Sequence, residues 1–212
     1  MNPSRPAVKP GLYAITPSAW PTQKLLSAVG ELLANRPSLL QYRDKSGARP
    51  ELAQALLARC RAAAVPLIIN DDIDLAKRIG ADGIHLGRDD GNPSEAREFL
   101  GPTALIGVSC YNDLDRARQL ANHDVDYLAF GAVFSSPTKP AAVSCPLELL
   151  GQARQFDLPV VAIGGINADN APLARGAGAD LLAVITDLFN SADIGQQAAR
   201  YRALYDTQPA TH

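Results

Sequence analysis

The chain has 212 residues, of which 47% are hydrophobic and 20% charged, as expected for one globular domain with a sizeable core. Its 20 Lys and Arg against 22 Asp and Glu leave a formal charge of −2, so no global positive field favours nucleic acid or an anionic membrane as a partner. Three widely spaced cysteines argue against a disulfide framework, and no apolar run is long enough for a membrane span, so we expect a cytoplasmic protein.

Apolar segments typical of strands alternate with amphipathic segments typical of helices. We predict eight strands, at residues 11–16, 38–43, 66–70, 83–86, 104–109, 127–133, 159–164 and 181–185. Helical patterns fall between them, at residues 22–34, 50–64, 92–100, 114–121, 146–155, 168–175 and 194–204. Such alternation implies parallel strands, and strands that are apolar on both faces need cover on both sides. The pattern predicts either a closed βα barrel or a doubly wound sheet.

A repeated turn favours the barrel. Three segments, 80–84, 124–128 and 178–182, each place an Asp directly before a strand, at a spacing of about two βα units. We interpret them as turns at the N-terminal end of one α/β domain, a single (β/α)8 TIM barrel spanning residues 11–206. Residues 1–10 are predicted to be a flexible lead-in and 207–212 a flexible tail. The polar ends of the strands then share the opposite, C-terminal end, where such barrels place their active sites.

The candidate metal site consists of Asp71 and Asp90. They follow successive strands and would be neighbours at the barrel rim, where two carboxylates, phosphate oxygens and water suit Mg²⁺. Asp72 and Asp74 are expected to cap the helix that begins there. His85 has no second His or Cys at ligand spacing, so we expect a hydrogen-bonded barrel residue and not a zinc ligand.

The candidate anion site combines cations, hydroxyls and glycines at strand ends. Arg43, Lys45 and Lys139 could together neutralise a diphosphate, although any one of them alone is more often a solvated surface residue. Gly164 and Gly165 follow the seventh strand, where these barrels usually bind phosphate, but a glycine pair can also simply permit a tight turn. Hydroxyl groups follow other strands, at Ser109, Ser136 and Thr138, without a Ser-His-Asp arrangement that would indicate a nucleophile.

Several of these segments, and their order along the chain, resemble those of the thiamine phosphate synthase family. This family is part of the thiamine phosphate synthase and thiazole tautomerase superfamily. The segments are Gln41-Tyr-Arg-Asp-Lys45, Ile69-Asn-Asp-Asp72, the run from Gly83 to Asp90, Gly107-Val-Ser109, the run from Gly131 to Lys139, and Ile163-Gly-Gly-Ile166. The resemblance implies a transferase of thiamine biosynthesis. It joins 4-amino-2-methyl-5-hydroxymethylpyrimidine diphosphate to 4-methyl-5-hydroxyethylthiazole phosphate, releases pyrophosphate and requires Mg²⁺.

The resemblance also implies roles for individual residues. The pyrimidine diphosphate is expected at Gln41, Tyr42, Arg43, Asp44, Lys45, Asn70, Ser109 and Lys139. The thiazole phosphate is expected at Ser136, Pro137, Thr138, Gly165, Ile185 and Thr186. Asp71 and Asp90 would bind Mg²⁺, and the catalytic residues would be Arg43, Lys45, Ser109 and Lys139.

We expect a dissociative mechanism, in which pyrophosphate departs before the thiazole nitrogen attacks, and closure of a loop near residues 135–143 to exclude water. The partners expected are small-molecule substrates, with neither nucleic acid nor membrane. Two alternatives stay open: a thiazole tautomerase of the same superfamily, which needs no diphosphate site, and a non-catalytic phosphate-binding barrel that acts as a regulator.

Overall fold

Eight parallel strands close into a barrel in chain order, and the last strand pairs with the first. This computed structural model describes residues 5–47, 49–135 and 143–206. The predicted single (β/α)8 barrel is confirmed. The strands are β1 (Gly11–Ile15), β2 (Leu39–Tyr42), β3 (Leu67–Asn70), β4 (Gly83–Leu86), β5 (Leu105–Tyr111), β6 (Tyr127–Gly131), β7 (Val160–Ile163) and β8 (Leu181–Val184).

Helices cover the outside of the barrel. They are α1 (Thr22–Leu33), α2 (Pro50–Ala63), α3 (Ile73–Ile79), α4 (Pro93–Leu100), α5 (Leu114–Ala121), α6 (Glu148–Ala153), α7 (Ala171–Gly176), α8 (Thr186–Phe189) and α9 (Ile194–Asp206). In the described ranges, none of these helices has both the length and the apolar character that crossing a bilayer requires.

Several of these helices differ from the predicted ranges. α3 was expected only as a helix beginning near Asp72 and Asp74, without a range, and the short α8 was not predicted, because four residues are too few to show helical periodicity. The seventh helix begins three residues later than predicted. Asn167 explains the delay, because its side-chain oxygen accepts hydrogen bonds from the N–H groups of Asp169 and Asn170 at 3.0 and 2.9 Å and turns the chain before the helix.

Two apolar layers form on opposite faces of the strands. Side chains alternate between these faces, so Leu39 lies inside the barrel, whereas Leu40 packs outward against the helices. The inner layer includes Tyr13, Ile68 and Tyr127. Because both faces are buried, the strands read as continuous apolar runs in the sequence.

Aspartates close the N-terminal end of the barrel, as the repeated turn predicted. Each carboxylate accepts an N–H from the first or second residue of the preceding strand at 2.7–2.9 Å, and the same Asp donates its own N–H to that residue's carbonyl. The pairs are Asp82 with Leu67, Asp126 with Ile106, and Asp180 with Val160.

The segment predicted as a lead-in makes specific contacts from residue 5 onward. Arg5 forms ion pairs with Asp124 and Asp126 at 2.8 and 3.0 Å, and Val8 packs against the inner layer. The segment is therefore anchored across the N-terminal end of the barrel. Residues 1–4 and the predicted tail at 207–212 lie outside the described residues.

Candidate active site

Polar strand ends surround a cavity of about 280 Å³ at the C-terminal end of the barrel. The structure brings together seven of the predicted site residues here: Gln41, Arg43, Lys45, Asn70, Asp71, Ser109 and Ile185. His85, Gly87, Tyr13 and Tyr111 complete the more polar wall, and apolar side chains form the floor, namely Ile15, Ala129, Val161, Ile163 and Ala183.

Arg43 is held at the end of β2 by the buried hydroxyl of Thr16. Thr16 Oγ1 accepts the Arg43 N–H at 3.0 Å and donates to the Arg43 carbonyl at 3.2 Å. Burial lowers the pKa of the Arg43 guanidinium, and nearby Asp71 opposes the shift. An arginine stays protonated in proteins, and among the described residues its guanidinium forms no ion pair. The side chain is therefore a free cation that faces the cavity.

Tyr42 and Asp44, both predicted to contact the pyrimidine diphosphate, do not line this cavity. Tyr42 points into the outer apolar layer, and its hydroxyl accepts the Arg49 N–H at 3.1 Å. The Asp44 carboxylate accepts from the Arg49 guanidinium at 2.7 and 3.0 Å. Burial alone would raise the pKa of Asp44, but hydrogen bonds from Ser46 and Arg49 outweigh it and lower the pKa to about 2. These contacts hold the loop that follows Arg43.

Two carboxylates meet at the rim of the cavity. Asp71 has a φ of 64°, and its N–H donates to the His85 carbonyl at 3.0 Å. The Asp90 carboxylate accepts the Gly87 N–H at 2.8 Å. Partial burial raises the pKa of Asp71 to about 6, helped by the nearby Asp90 and opposed by Asn70 and Arg43. A divalent cation bound beside Asp71 would favour its charged form and so oppose this rise in pKa.

The carboxylate pair suits Mg²⁺ better than a transition metal. The described residues contain no cluster of three or more His, Cys, Asp or Glu that could hold a metal ion by themselves. Two protein carboxylates completed by substrate phosphate oxygens and water are a common environment for Mg²⁺, which keeps several waters. The residues present therefore fit the predicted cation in a substrate-dependent site.

A row of hydrogen bonds runs beneath the cavity through the barrel interior. Gln41 Nε2 donates to Tyr13 Oη at 2.7 Å, and Tyr13 Oη lies 2.7 Å from Tyr127 Oη. Tyr127 Oη lies 3.2 Å from His85 Nδ1, and His85 Nε2 lies 2.9 Å from Ser109 Oγ. We call these five residues the buried hydrogen-bond network. Burial lowers the pKa of His85 to about 4 against the opposing charge of Asp90, and the predicted hydrogen-bonded barrel role is confirmed.

Sequence analysis missed several residues that line the cavity or lie next to its lining. Tyr13 and Tyr127 lie inside apolar strands, where a tyrosine reads as ordinary core. Tyr111 follows a bulge near the end of β5, and its hydroxyl accepts the Arg88 N–H at 3.2 Å. The guanidinium of Arg88 lies 4.9 Å from the Tyr111 ring. A bulge re-aims side chains, and it leaves no mark in a hydrophobic pattern.

The glycine pair after β7 makes a close backbone contact. Gly165 has a φ of 65°, and a Cβ built there would lie 2.5 Å from the Phe134 carbonyl oxygen. Gly164 has a φ of 100°, and its Cβ would lie 2.5 Å from that of Ala132. Both glycines are therefore required by the turn itself. Beside them, Ile185 lines the cavity, and the exposed Thr186 begins α8.

Four predicted residues, Ser136, Pro137, Thr138 and Lys139, lie outside the described residues, and so does most of the predicted closing loop. The flanks of that loop are described. The Ala132 N–H donates to the Val143 carbonyl at 3.0 Å, and the Cys145 N–H donates to the Ala132 carbonyl at 2.8 Å. The described flank at Ala132 and Phe134 lies against the glycine pair.

Comparisons with known proteins agree with this geometry. The sequence model of the family described as thiamine monophosphate synthase matches residues 12–188. A thiamine-phosphate synthase of Azoarcus sp. is 54% identical over 199 residues, which cover 92% of this chain and 97% of that relative. One of Aromatoleum aromaticum is 49% identical over 200 residues, covering 92% and 96%. A solved structure, the thiamine phosphate pyrophosphorylase of Pyrococcus furiosus, is 30% identical with a TM-score of 0.80, covering 94% and 96%.

Proposed function

The chain belongs to the thiamine monophosphate synthase family, and from that premise we propose that the cavity at the C-terminal end of its barrel binds and joins the two substrates. The protein is a transferase of thiamine biosynthesis that makes thiamine phosphate. The observation that carries the proposed site is the Arg43 guanidinium, which forms no ion pair among the described residues and lines the same cavity as the Asp71 carboxylate, the near neighbour of Asp90.

The two substrates occupy different sides of the cavity in this proposal. The pyrimidine diphosphate lies against Gln41, Arg43, Lys45, Asn70 and Ser109, which converge from β2, β3 and β5. Tyr42 and Asp44 support this side by holding the β2 loop. The thiazole phosphate lies near Gly165, Ile185 and Thr186, after β7 and β8, the usual phosphate position of such barrels. In the same proposal, Ser136, Pro137 and Thr138 bind the thiazole phosphate, and Lys139 binds the pyrimidine diphosphate.

We propose that Asp71 and Asp90 hold Mg²⁺ together with diphosphate oxygens. When bound, the cation neutralises negative charge on the diphosphate and on the departing pyrophosphate. Asn70 donates to the Asp71 carboxylate at 2.5 Å, and Gly87 donates to that of Asp90 at 2.8 Å. These donors orient the carboxylates before any ligand binds.

The proposed reaction is a substitution at the pyrimidine methylene carbon. Its C–O bond breaks, and the bonding electron pair leaves with pyrophosphate, whose charge is balanced by Arg43, Lys45 and Lys139. The aminopyrimidine ring delocalises the resulting positive charge. The lone pair of the thiazole nitrogen then forms the C–N bond, and no proton transfer is needed. The apolar floor formed by Ile15, Ala129, Val161 and Ile163 excludes water that would otherwise capture the cation.

The test is to incubate the purified protein with both substrates and Mg²⁺ and to quantify thiamine phosphate. We expect metal-dependent formation of product. In Asp71→Asn its rate should fall at least about 100-fold, because Mg²⁺ loses a carboxylate ligand and the departing pyrophosphate is then less well neutralised. Asp89→Asn is the matched control, since this exposed carboxylate lies beside Asp90 without lining the cavity. Absence of product from folded wild-type protein would favour a tautomerase or a non-catalytic barrel, and full activity of Asp71→Asn would remove the metal assignment.

We further propose a cytoplasmic location with small molecules as the principal partners. Cys60, Cys110 and Cys145 are all buried free thiols. Burial raises their pKa values, to about 12 for Cys60 and Cys110 and to about 11 for Cys145. Protonated thiols in the core are consistent with a reducing compartment.

A further inference from the structure

The buried hydrogen-bond network connects two side chains on opposite sides of the cavity. Gln41 stands on β2 and Ser109 on β5, and three residues without a sequence-predicted catalytic role, Tyr13, Tyr127 and His85, join them. Gln41, Tyr13 and Tyr127 are 2%, 1% and 0% exposed, and His85 is 9% exposed. Because the interior members are sealed from solvent, they have chiefly one another as hydrogen-bond partners.

A row of this kind has only two self-consistent directions. Each tyrosine hydroxyl has one proton to donate, and a neutral imidazole donates through one nitrogen and accepts through the other. In one direction Gln41 donates to Tyr13, Tyr13 to Tyr127, Tyr127 to His85 Nδ1, and His85 Nε2–H to Ser109. In the other direction every one of these bonds is reversed. A reversal at one hydroxyl would require it either to donate twice, which its single proton does not allow, or to accept twice and leave its own proton unpaired, which is costly in a buried site.

Two observations select the first direction. The Gln41 amide nitrogen faces Tyr13, at 2.7 Å, so Gln41 is the donor at that end. At the other end, Ser109 opens into a cavity that also presents Arg43 and Lys45, a setting for an anion. Only a hydroxyl that accepts from His85 keeps its own proton free to donate to an anionic oxygen.

We propose that Tyr13, Tyr127 and His85 are positioning residues that fix this direction, so that Gln41 presents its carbonyl oxygen to the substrate and Ser109 presents its hydroxyl proton. The cavity then accepts a ligand with a hydrogen-bond donor at the Gln41 end and an acceptor at the Ser109 end. An amino group on a heteroaromatic ring and a diphosphate oxygen meet these requirements. The inference rests on the proposed function for the identity of the substrate, but the direction of the network does not depend on it.

The first experiment tests direction without any substrate. The chain contains three histidines, so ¹⁵N-histidine NMR of the full-length protein can assign His85 by comparison with His85→Gln. We expect the His85 ring in the Nε2–H tautomer, with Nδ1 as acceptor. An Nδ1–H tautomer would mean that the row runs the other way and would overturn the proposal.

The second experiment tests whether Tyr127 acts through Ser109, which it does not touch. Tyr127→Phe is expected to lower kcat/KM for the pyrimidine diphosphate about tenfold when Ser109 is present, and less than about twofold in a Ser109→Ala background. The KM for the thiazole phosphate is expected to stay unchanged. An equal loss in both backgrounds would show that Tyr127 has only a structural role, and the proposal would fall.

Controls separate catalysis from folding. Tyr205→Phe removes another buried hydroxyl, which has no hydrogen-bond partner among the described residues and lies away from the cavity, so the kinetics of this variant should match those of the wild type. If Tyr127→Phe does not fold, Tyr13→Phe interrupts the same network and is expected to show the same dependence on Ser109. Inactive wild-type protein would count against the proposed function alone, because the tautomer of His85 is measured without turnover.

Discussion

Asp71 is the residue whose backbone and charge are both unusual. Its φ of 64° lies in the left-handed region, which Asp and Asn tolerate better than most residues. Partial burial and the neighbouring Asp90 raise its pKa to about 6. Between about pH 4 and pH 6 the folded protein keeps a proton on Asp71 that the unfolded chain has already released. The free energy of unfolding therefore falls as the pH rises through this range.

We therefore predict that Asp71→Asn raises the melting temperature of the metal-free protein at pH 8 but not at pH 4. The gain should be below about 1 kcal/mol, or roughly 2 °C, because Asp71 is only partly shielded at the rim, so solvent still reaches and screens its charge. With Mg²⁺ and pyrophosphate present, the wild type should gain more stability than the variant. Thermal unfolding at the two pH values checks this. A lower melting temperature for the variant at pH 8 without metal would contradict the proposed repulsion.

Arg43 illustrates how a side chain is held ready for an anion. The Thr16 hydroxyl binds both the N–H and the carbonyl of Arg43. The backbone is therefore already ordered, and binding an anion there costs less conformational entropy than it would in a free loop. We predict that Arg43→Lys lowers kcat at least about tenfold, because an ammonium cannot form two parallel bonds to phosphate. Steady-state kinetics on both substrates checks this prediction. Arg88→Lys, at an exposed position beside the site, is the control; equal activity of Arg43→Lys would argue against a bidentate contact.

At the scale of elements, the barrel is assembled from strand pairs that share an aspartate. Asp82, Asp126 and Asp180 each stand directly before an even-numbered strand and accept an N–H from the first or second residue of the preceding odd-numbered strand. At the corresponding place between β1 and β2, the Ser38 hydroxyl donates to the Pro10 carbonyl at 3.0 Å. The repeat therefore marks the end of the barrel that carries stability, opposite the cavity.

We predict that Asp82→Ala lowers the free energy of unfolding by about 1–3 kcal/mol, since it leaves the Leu67 N–H without its acceptor. Asp82→Asn should recover much of the loss because its side-chain oxygen can still accept. Denaturant unfolding measures both, and KM values should stay unchanged. Asp115→Ala, which removes an exposed ion pair with Arg118, is the matched control and should cost under about 1 kcal/mol. An Asp82→Ala loss no larger than the control would contradict a structural role for the repeat.

For the whole molecule, the segment before β1 closes the barrel at the end away from the cavity. Val8 meets the inner apolar layer, and Arg5 binds the turn before β6 through Asp124 and Asp126. The two ends of the barrel thus have separate tasks, stability at one and chemistry at the other.

We predict that Val8→Asp lowers the melting temperature by several degrees, because it places a charge against an apolar layer, while kcat and both KM values change little. Ala7→Asp introduces the same charge one residue earlier at an exposed position and should leave the melting temperature nearly unchanged. Thermal unfolding and kinetics on both variants check the prediction. A loss of activity with unchanged stability in Val8→Asp would contradict the separation of the two ends.

The sequence by itself determined the fold and the polar strand ends. Strand and helix periodicity, the repeated Asp and the residues from Gln41 to Lys45 are local signals, and parallel strands bring their carboxyl ends together whatever the details of packing. For the residues at a strand end, simple alternation is the only sequence signal of which side chains face the cavity and which face the helices, and the sequence could not separate them further. Asp44 lies next to Arg43 in the sequence, yet the structure pairs it with Arg49 behind the cavity.

Only the tertiary structure decided which buried polar groups touch each other. Tyr13 and Tyr127 are 114 residues apart, and each reads as an apolar core position; closure of the barrel sets their hydroxyls at 2.7 Å. Likewise, the raised pKa of Asp71 comes from partial burial and from Asp90, which follows the next strand. Such contacts depend on strand register and on the exclusion of water, and these are properties of the closed barrel that no local sequence pattern encodes.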